Sequence, residues 1–148
     1  MNFDEVQGNL CYLFENENLL IEALTHSSCL NEKNMNLKKS NEALAWLGDA
    51  IIYCVVSKEL FDPKLTKECL TDLRKKFIGA KYQAELAKKY GLDVALIIPD
   101  SQAKQGGRSN RKNLHTVYEA IVGAIYRDQG FEEAKKYILS HISSHAPA

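Results

Sequence analysis

Two apolar runs, each carrying carboxylates, constrain this chain more than any other feature. The first is Asn41-Glu42-Ala43-Leu44-Ala45-Trp46-Leu47-Gly48-Asp49-Ala50 and the second is Leu114-His115-Thr116-Val117-Tyr118-Glu119-Ala120-Ile121-Val122-Gly123-Ala124-Ile125-Tyr126. Successive residues of an α-helix turn by about 100°. Glu42 and Asp49, seven positions apart, therefore share one helix face. The second run has a single acid, Glu119. An ionised carboxylate is costly beside apolar neighbours unless it is paired or binds a metal. The two runs together point to a site built between two helices.

Apolar spacing is helical nearly throughout, with no strand alternation, internal repeat or low-complexity linker, so the expected class is all-α. The spacing predicts a short amphipathic segment over 3–14. A helix capped by Asn16 runs to about Ser28, and a polar loop covers 29–39. A long helix from Ser40 or Asn41 reaches about Leu60, where Pro63 closes it off. Thr66 caps a helix expected to continue to Tyr90 and stop at Gly91. After a short apolar turn and a Gly-Gly loop, helices are predicted from Arg111 to Gln129 and over 132–143, with a frayed tail. In the central helix Leu44, Leu47, Ile51 and Val55 form the core stripe. Ala43, Trp46, Ala50 and Tyr53 lie on a flank that is either buried within the chain or packed on a second subunit, where large aromatics are favoured anchors. Gly123 shares a face with Thr116, Glu119 and Tyr126 and leaves room for another helix to approach.

At 148 residues the chain is long enough for one domain with a real core, expected over 1–145. No apolar run approaches the length of a bilayer span, so no membrane role is expected. Six acids and no Lys or Arg precede Lys33, the wrong sign for a targeting segment. Cys11, Cys29, Cys54 and Cys69 lack the short spacing of a zinc site, and reduced, mostly buried thiols are expected. An intracellular setting, cytoplasmic or nuclear rather than secreted, follows from these two features. Net charge is zero, which argues against a general nucleic-acid clamp. Yet residues 101–118 hold Lys104, Arg108, Arg111 and Lys112 and no acid. With Gly106-Gly107 this reads as a flexible basic loop, either simply solvated or contacting phosphates.

Two acids alone are a weak signal, and a structural salt bridge to Asp49 is the simpler reading. The functional one is a Mg²⁺ site, because that ion takes oxygen ligands, keeps several waters and often needs only one or two carboxylates. Such an ion activates water and stabilises a leaving oxygen in phosphodiester cleavage. No Ser-His-Asp order, phosphate-cradling glycine loop or histidine metal motif competes with it. The four histidines read as surface or capping residues.

The stretch from Asn41-Glu42 to Leu47-Gly48-Asp49-Ala50 resembles the signature helix of the ribonuclease III domain, N-E-R-L-E-F-L-G-D-A. Glu119 to Tyr126 is similar to that family's E-A-L-I-G-A-I-Y. Leu19 to Ser28, Leu73-Arg74 and Gly106-Gly107-Arg108 agree in order with further family segments, so the resemblance spans about 3–143. It implies a multi-helix bundle that forms a symmetric homodimer and cleaves double-stranded RNA with Mg²⁺ (Mn²⁺ as a substitute). Carried over by position, Asp49 and Glu119 match the family's principal catalytic, metal-binding acids, and Glu42 a further acid of the signature helix. Trp46 stands where the family has a Phe that plugs into the partner subunit, with Tyr53 beside it at the expected interface. Lys104, Arg108, Arg111 and Lys112, with lysines near 75–81, are the expected RNA contacts.

The chain departs from the pattern at two positions. Ala45 replaces the second signature Glu, and Thr116 replaces the Asp three residues before Glu119. Thr116 is left as a weak ligand, through a hydrogen bond from its hydroxyl to water on the ion. Small "mini" ribonuclease III enzymes have Ala and Thr at these positions and, like this chain, no double-stranded-RNA-binding domain; Gly79 to Glu85 also resembles their S-A-K-x-Q-A-E segment. Thr25-His26-Ser27-Ser28 instead resembles the longer enzymes. Two readings stay open: an endoribonuclease with a reduced metal site, served by a partner protein that delivers RNA, or an inactive domain that binds RNA or acts as a ribosomal or structural module.

Overall fold

The computed structural model describes residues 2–33, 35 and 37–144, with side chains through Ile142. The expected domain end at residue 145 and the frayed tail beyond it lie outside the described residues, as do Asn34 and Asn36 of the polar loop. Helices are α1 (Phe3–Leu10), α2 (Glu17–Leu24), α3 (Glu42–Leu60), α4 (Lys67–Ile78), α5 (Ala80–Lys89), α6 (Leu92–Ala95), α7 (Asp100–Lys104), α8 (Arg111–Gln129) and α9 (Phe131–Ser144). The only extended pairing among the described residues is an isolated bridge between Thr25 and Ile97. The fold is all-α, as expected, and no described helix is long and apolar enough to cross a membrane.

α8 is the axle. Leu114 and every residue from Val117 to Ile125 are buried, and α2, α3, α5 and α9 all pack around them. The largest of these contacts is with α3. It depends on two glycines that face each other. A Cβ on Gly48 would lie 1.8 Å from the Glu119 carbonyl oxygen, and one on Gly123 would lie 2.1 Å from that of Leu44. The backbones of α3 and α8 therefore touch, and any side chain at either position would force them apart.

Helix starts follow the expected chemistry. The side chains of Asn16, Thr66 and Asn110 accept from the backbone N–H groups of Asn18, Cys69 and Asn113 at 3.1, 3.2 and 3.1 Å. At α3 the buried Asn41 is the capping residue but makes no side-chain cap; Ser40 Oγ accepts from Glu42 N–H at 3.4 Å instead. Gly130, at φ 94°, ends α8.

Several helix ends differ from expectation. α1 stops at Leu10, where Cys11 turns left-handed at φ 53° and its N–H returns to Gly8 O at 3.2 Å. α2 stops at Leu24 rather than Ser28, because Thr25 is extended to meet Ile97. His26 N–H donates to Ile97 O at 2.9 Å and Ile97 N–H to Leu24 O at 2.8 Å. A 3-10 turn over Ser27–Asn31 follows. The helix expected over 66–90 is broken at Gly79, which is extended at ψ 144° and joins α4 to α5. The thiols also differ: all four are free, but only Cys29 is buried.

The N-terminal segment is pinned to the far end of α8 by one carboxylate. Asp128 accepts from Tyr12 Oη at 2.8 Å, Glu15 N–H at 3.0 Å and Asn16 N–H at 2.9 Å. Partial burial opposes its charge, but these donors outweigh that and hold its pKa below the usual carboxylate value.

The glycine crossing yields a pair of opposite expectations for urea unfolding. Gly123→Ala inserts a methyl into backbone and should cost about 3 kcal/mol, the upper end for overpacking. Gly8→Ala, in a helix with nothing within 4 Å of the new Cβ, should add about 0.5–1 kcal/mol. Equal midpoints for Gly123→Ala and the parent chain would show that α3 and α8 do not need this contact.

Candidate active site

The close crossing of α3 and α8 sets the two acid-bearing faces side by side. A shallow open pocket between them is lined by Glu42, Ala45, Trp46, Asp49, Lys112, His115, Thr116 and Glu119. All three expected catalytic acids and Thr116 are thus brought together. They are not equivalent. Glu42 and Asp49 are exposed, whereas Glu119 is only 7 % exposed.

Glu119 and Asp49 are joined by a side-chain hydrogen bond. Burial first, and then that hydrogen bond and the charge of Asp49, push the Glu119 pKa up to about 8. This environment favours the protonated form of Glu119 beside Asp49. His115 Nε2 lies 3.3 Å from Glu119 Oε1. Burial lowers the His115 pKa, and the charge of Asp49 only partly reverses this. Both groups are neutral at pH 7, so the contact is not an ion pair. A salt bridge to Asp49, the simpler sequence reading, is not what the structure shows: its neighbour is another acid.

Two facing carboxylates with one proton between them are a site short of positive charge. Their oxygen donors and the nearby Thr116 hydroxyl suit Mg²⁺, which accepts one or two protein carboxylates and completes its shell with water. Among the described residues no group of three or more His, Cys, Asp or Glu side chains is placed to hold an ion together. The set fits an ion that stays partly hydrated and does not fit a fully protein-bound one. Ala45, whose side chain is buried at 6 % exposure, adds no further charge to the pocket.

The expected RNA contacts separate into two groups. Lys104, Arg111 and Lys112 are exposed, and Lys112 lines the acid pocket. Arg108 has an internal role. Its Nη1 donates to the backbone oxygens of Asp93, Val94 and Leu96 at 3.0, 3.0 and 2.6 Å, closing the end of α6. The loop is consequently tied down rather than flexible. On the other flank of α3, Ala43, Trp46, Ala50 and Tyr53 are all exposed, Trp46 by 80 %. That flank is not buried within the chain. Tyr53 carries the Arg74 guanidinium 4.1 Å above its ring.

His115 is the site residue that sequence reasoning passed over as a surface histidine. Its spacing of four from Glu119 on one helix was the available signal.

The sequence pattern of the Ribonuclease-III-like family matches residues 16–146. Ribonuclease 3 of Oleidesulfovibrio alaskensis is 39% identical over 147 residues, covering 98% of this chain and 64% of that protein. Ribonuclease 3 of a Staphylococcus aureus strain is 35% identical over 146 residues, covering 95% and 60%. The chain therefore spans somewhat under two thirds of the length of these relatives. Two solved structures of the nuclease domain of ribonuclease III from Campylobacter jejuni superpose closely. One has a TM-score of 0.90 at 34% identity, covering 99% of this chain and 100% of that one; the other has 0.88 at 32%, covering 99% and 97%. The first is described as flexible in a region involved in dimer formation. Match and geometry agree on one conclusion: this chain belongs to the ribonuclease-III-like family and has the fold of its nuclease domain.

Proposed function

We propose that the protein is an endoribonuclease that cleaves double-stranded RNA with Mg²⁺ held between Asp49 and Glu119. The observation that carries this is the pairing of a 7 %-exposed Glu119 with Asp49 across two helices that touch through glycine. Drift would readily remove such a pair, since a buried acid with no cation costs folding energy. Mg²⁺ (or Mn²⁺), when bound, supplies Lewis-acid stabilisation of charge on the phosphodiester. Asp49 and Glu119 would hold it, with Glu42 at the pocket edge and the Thr116 hydroxyl placed to hydrogen-bond a water beside the ion. Lys104, Arg111 and Lys112 contact backbone phosphates. An A-form duplex is recognised by shape, because its deep major groove hides the base edges. With few free cations and zero net charge, affinity is low and salt-sensitive, which leaves room for a protein that delivers the RNA. An intracellular setting, cytoplasmic or nuclear, accords with four free thiols.

Purified protein with a long RNA duplex and Mg²⁺ or Mn²⁺ should release short duplex products. Asp49→Asn and Glu119→Gln should lower kcat by more than about a hundredfold, beyond the usual loss for groups that merely support a metal ligand, while a duplex gel shift persists. Undiminished cleavage by Asp49→Asn would refute the assignment. A gel shift with no cleavage under either ion would favour the binding-module reading, which the loss of acids at Ala45 and Thr116 supports.

The acid pair also links the ion to stability. Without metal, the folded-state pKa of Glu119 lies above its unfolded value, at about 8 against 4.5. That contribution is complete below the unfolded value and is lost as pH rises through 8. In chelator, the melting temperature should fall between pH 5 and 9 by more than it does in Glu119→Gln, and Mg²⁺ should restore more at pH 9 than at pH 6. Parallel profiles for the two proteins would contradict the shared-proton description.

The exposed flank of α3 is proposed as the contact of a symmetric homodimer. Trp46, at 80 % exposure, is its anchor, with Tyr53 beside it. Light scattering should give twice the chain mass of 16.7 kDa, and Trp46→Ala should shift this toward the monomer. A parent protein that is monomeric at tens of micromolar would overturn the interface.

A further inference from the structure

The basic segment before α8 is fixed by a set of hydrogen bonds that begins far away in sequence. Ser28 N–H donates to His26 Nδ1 at 3.1 Å, and Ser28 Oγ lies 2.6 Å from the same nitrogen. Because Nδ1 accepts, the ring proton sits on Nε2, which donates to Asn113 Oδ1 at 3.1 Å. Asn113 Nδ2 in turn donates to Gly107 O at 3.0 Å. The neighbours on both sides fix the orientation of the amide: its oxygen faces a donor and its nitrogen faces a carbonyl. Gly107 N–H donates to Gln102 O at 2.9 Å, and a Cβ at Gly107 would lie 2.7 Å from that oxygen. Asn110 caps α8 through Asn113 N–H.

Neither His26 nor Asn113 lines the acid pocket, so the relay has no part in the chemistry there. Its effect is geometric. It ties the turn after α2 to the first turn of α8 and to the middle of the glycine loop. The exposed cations then stand on either side of the tied point, Lys104 before it and Arg111 and Lys112 after it. Lys112 precedes Glu119 by seven residues on the same helix face, about 10 Å along the axis. Cations already ordered in the free protein lose less freedom when a polyanion binds.

We propose that His26 and Asn113 are positioning residues for the RNA backbone: the Ser28–His26–Asn113–Gly107 relay holds Lys104, Arg111 and Lys112 in register with the Asp49–Glu119 pair. This rests on the nuclease reading above and adds the part of the fold that sets affinity for the duplex. It assigns to the segment Thr25-His26-Ser27-Ser28 a task that the acid chemistry leaves unexplained.

The test is steady-state cleavage of an RNA duplex, together with amide hydrogen exchange over 105–110. His26→Ala and Asn113→Ala should each raise KM about fivefold, the equivalent of about 1 kcal/mol, leave kcat within about twofold, and speed exchange in the loop. His26→Gln, which places an amide N–H near the position of Nε2, should restore both KM and exchange. The double variant should be no worse than either single one, since both break the same relay. Faster exchange with unchanged KM would overturn the proposal and leave the relay a purely structural tie. So would a loss of kcat matching the rise in KM. A parent protein that neither shifts nor cuts the duplex fails the nuclease reading itself, and the positioning role falls with it. That outcome shows in the parent, whereas failure of the positioning role alone shows only in the variants.

Discussion

The contact between the backbones of α3 and α8 at Gly48 and Gly123 is the constraint on which the rest depends. Each helix carries an acid on the face that meets the other, and only a glycine-to-glycine approach brings the faces near enough for the acids to bond. Any Cβ at Gly48 would overlap the carbonyl of Glu119 itself. The residue that permits the packing therefore also sets the height of Glu119. Packing and chemistry cannot be varied separately here, because the same backbone atoms serve both.

The cost of this arrangement is local. Burial and the neighbouring Asp49 raise the Glu119 pKa, so its neutral form is favoured. A protonated pair is tolerated in the core, and a doubly ionised pair is not, unless a cation lies between. On the C-terminal side of Glu119, α8 adds nothing polar: from Ala120 to Ile125 every side chain is apolar or absent, and all are buried. The polar side chains of the site, Lys112, His115 and Thr116, all precede it on that helix.

Much of this was legible in the sequence. Helical spacing gave the class, Asn16 and Thr66 marked helix starts where the structure has them, and the helix read over Arg111 to Gln129 has those bounds. The acid faces and the close approach at Gly123 followed from spacing as well. Gly79 breaks a helix whose local pattern is continuous, with an extended backbone between α4 and α5. The other misses share a cause. Thr25 leaves a helix to meet Ile97, more than seventy positions away. Arg108 reads as a surface cation but closes the end of α6, and His26 reaches Asn113 across the chain. Each of these is decided by a partner distant in sequence, which periodicity and capping rules do not see. His115 is the exception, since its spacing from Glu119 was local and its type was read as surface.

Ala45 and Thr116 acquire a physical meaning from the same geometry. Burial and Asp49 favour a protonated Glu119, which limits the charge of the ion-free pocket. Two more acids in the same volume would have to ionise beside them or take up protons of their own, and either raises the cost of folding without metal. The side chain of Ala45 is buried at 6 % exposure, so a longer acid there would displace packed neighbours or turn into the pocket. Fewer protein oxygens also leave more of the coordination shell of Mg²⁺ to water and to substrate phosphate. On the proposed metal reading, the smaller set of acids would give up affinity for the free ion and gain stability of the empty fold, and the ion would be held best when substrate phosphate completes the site.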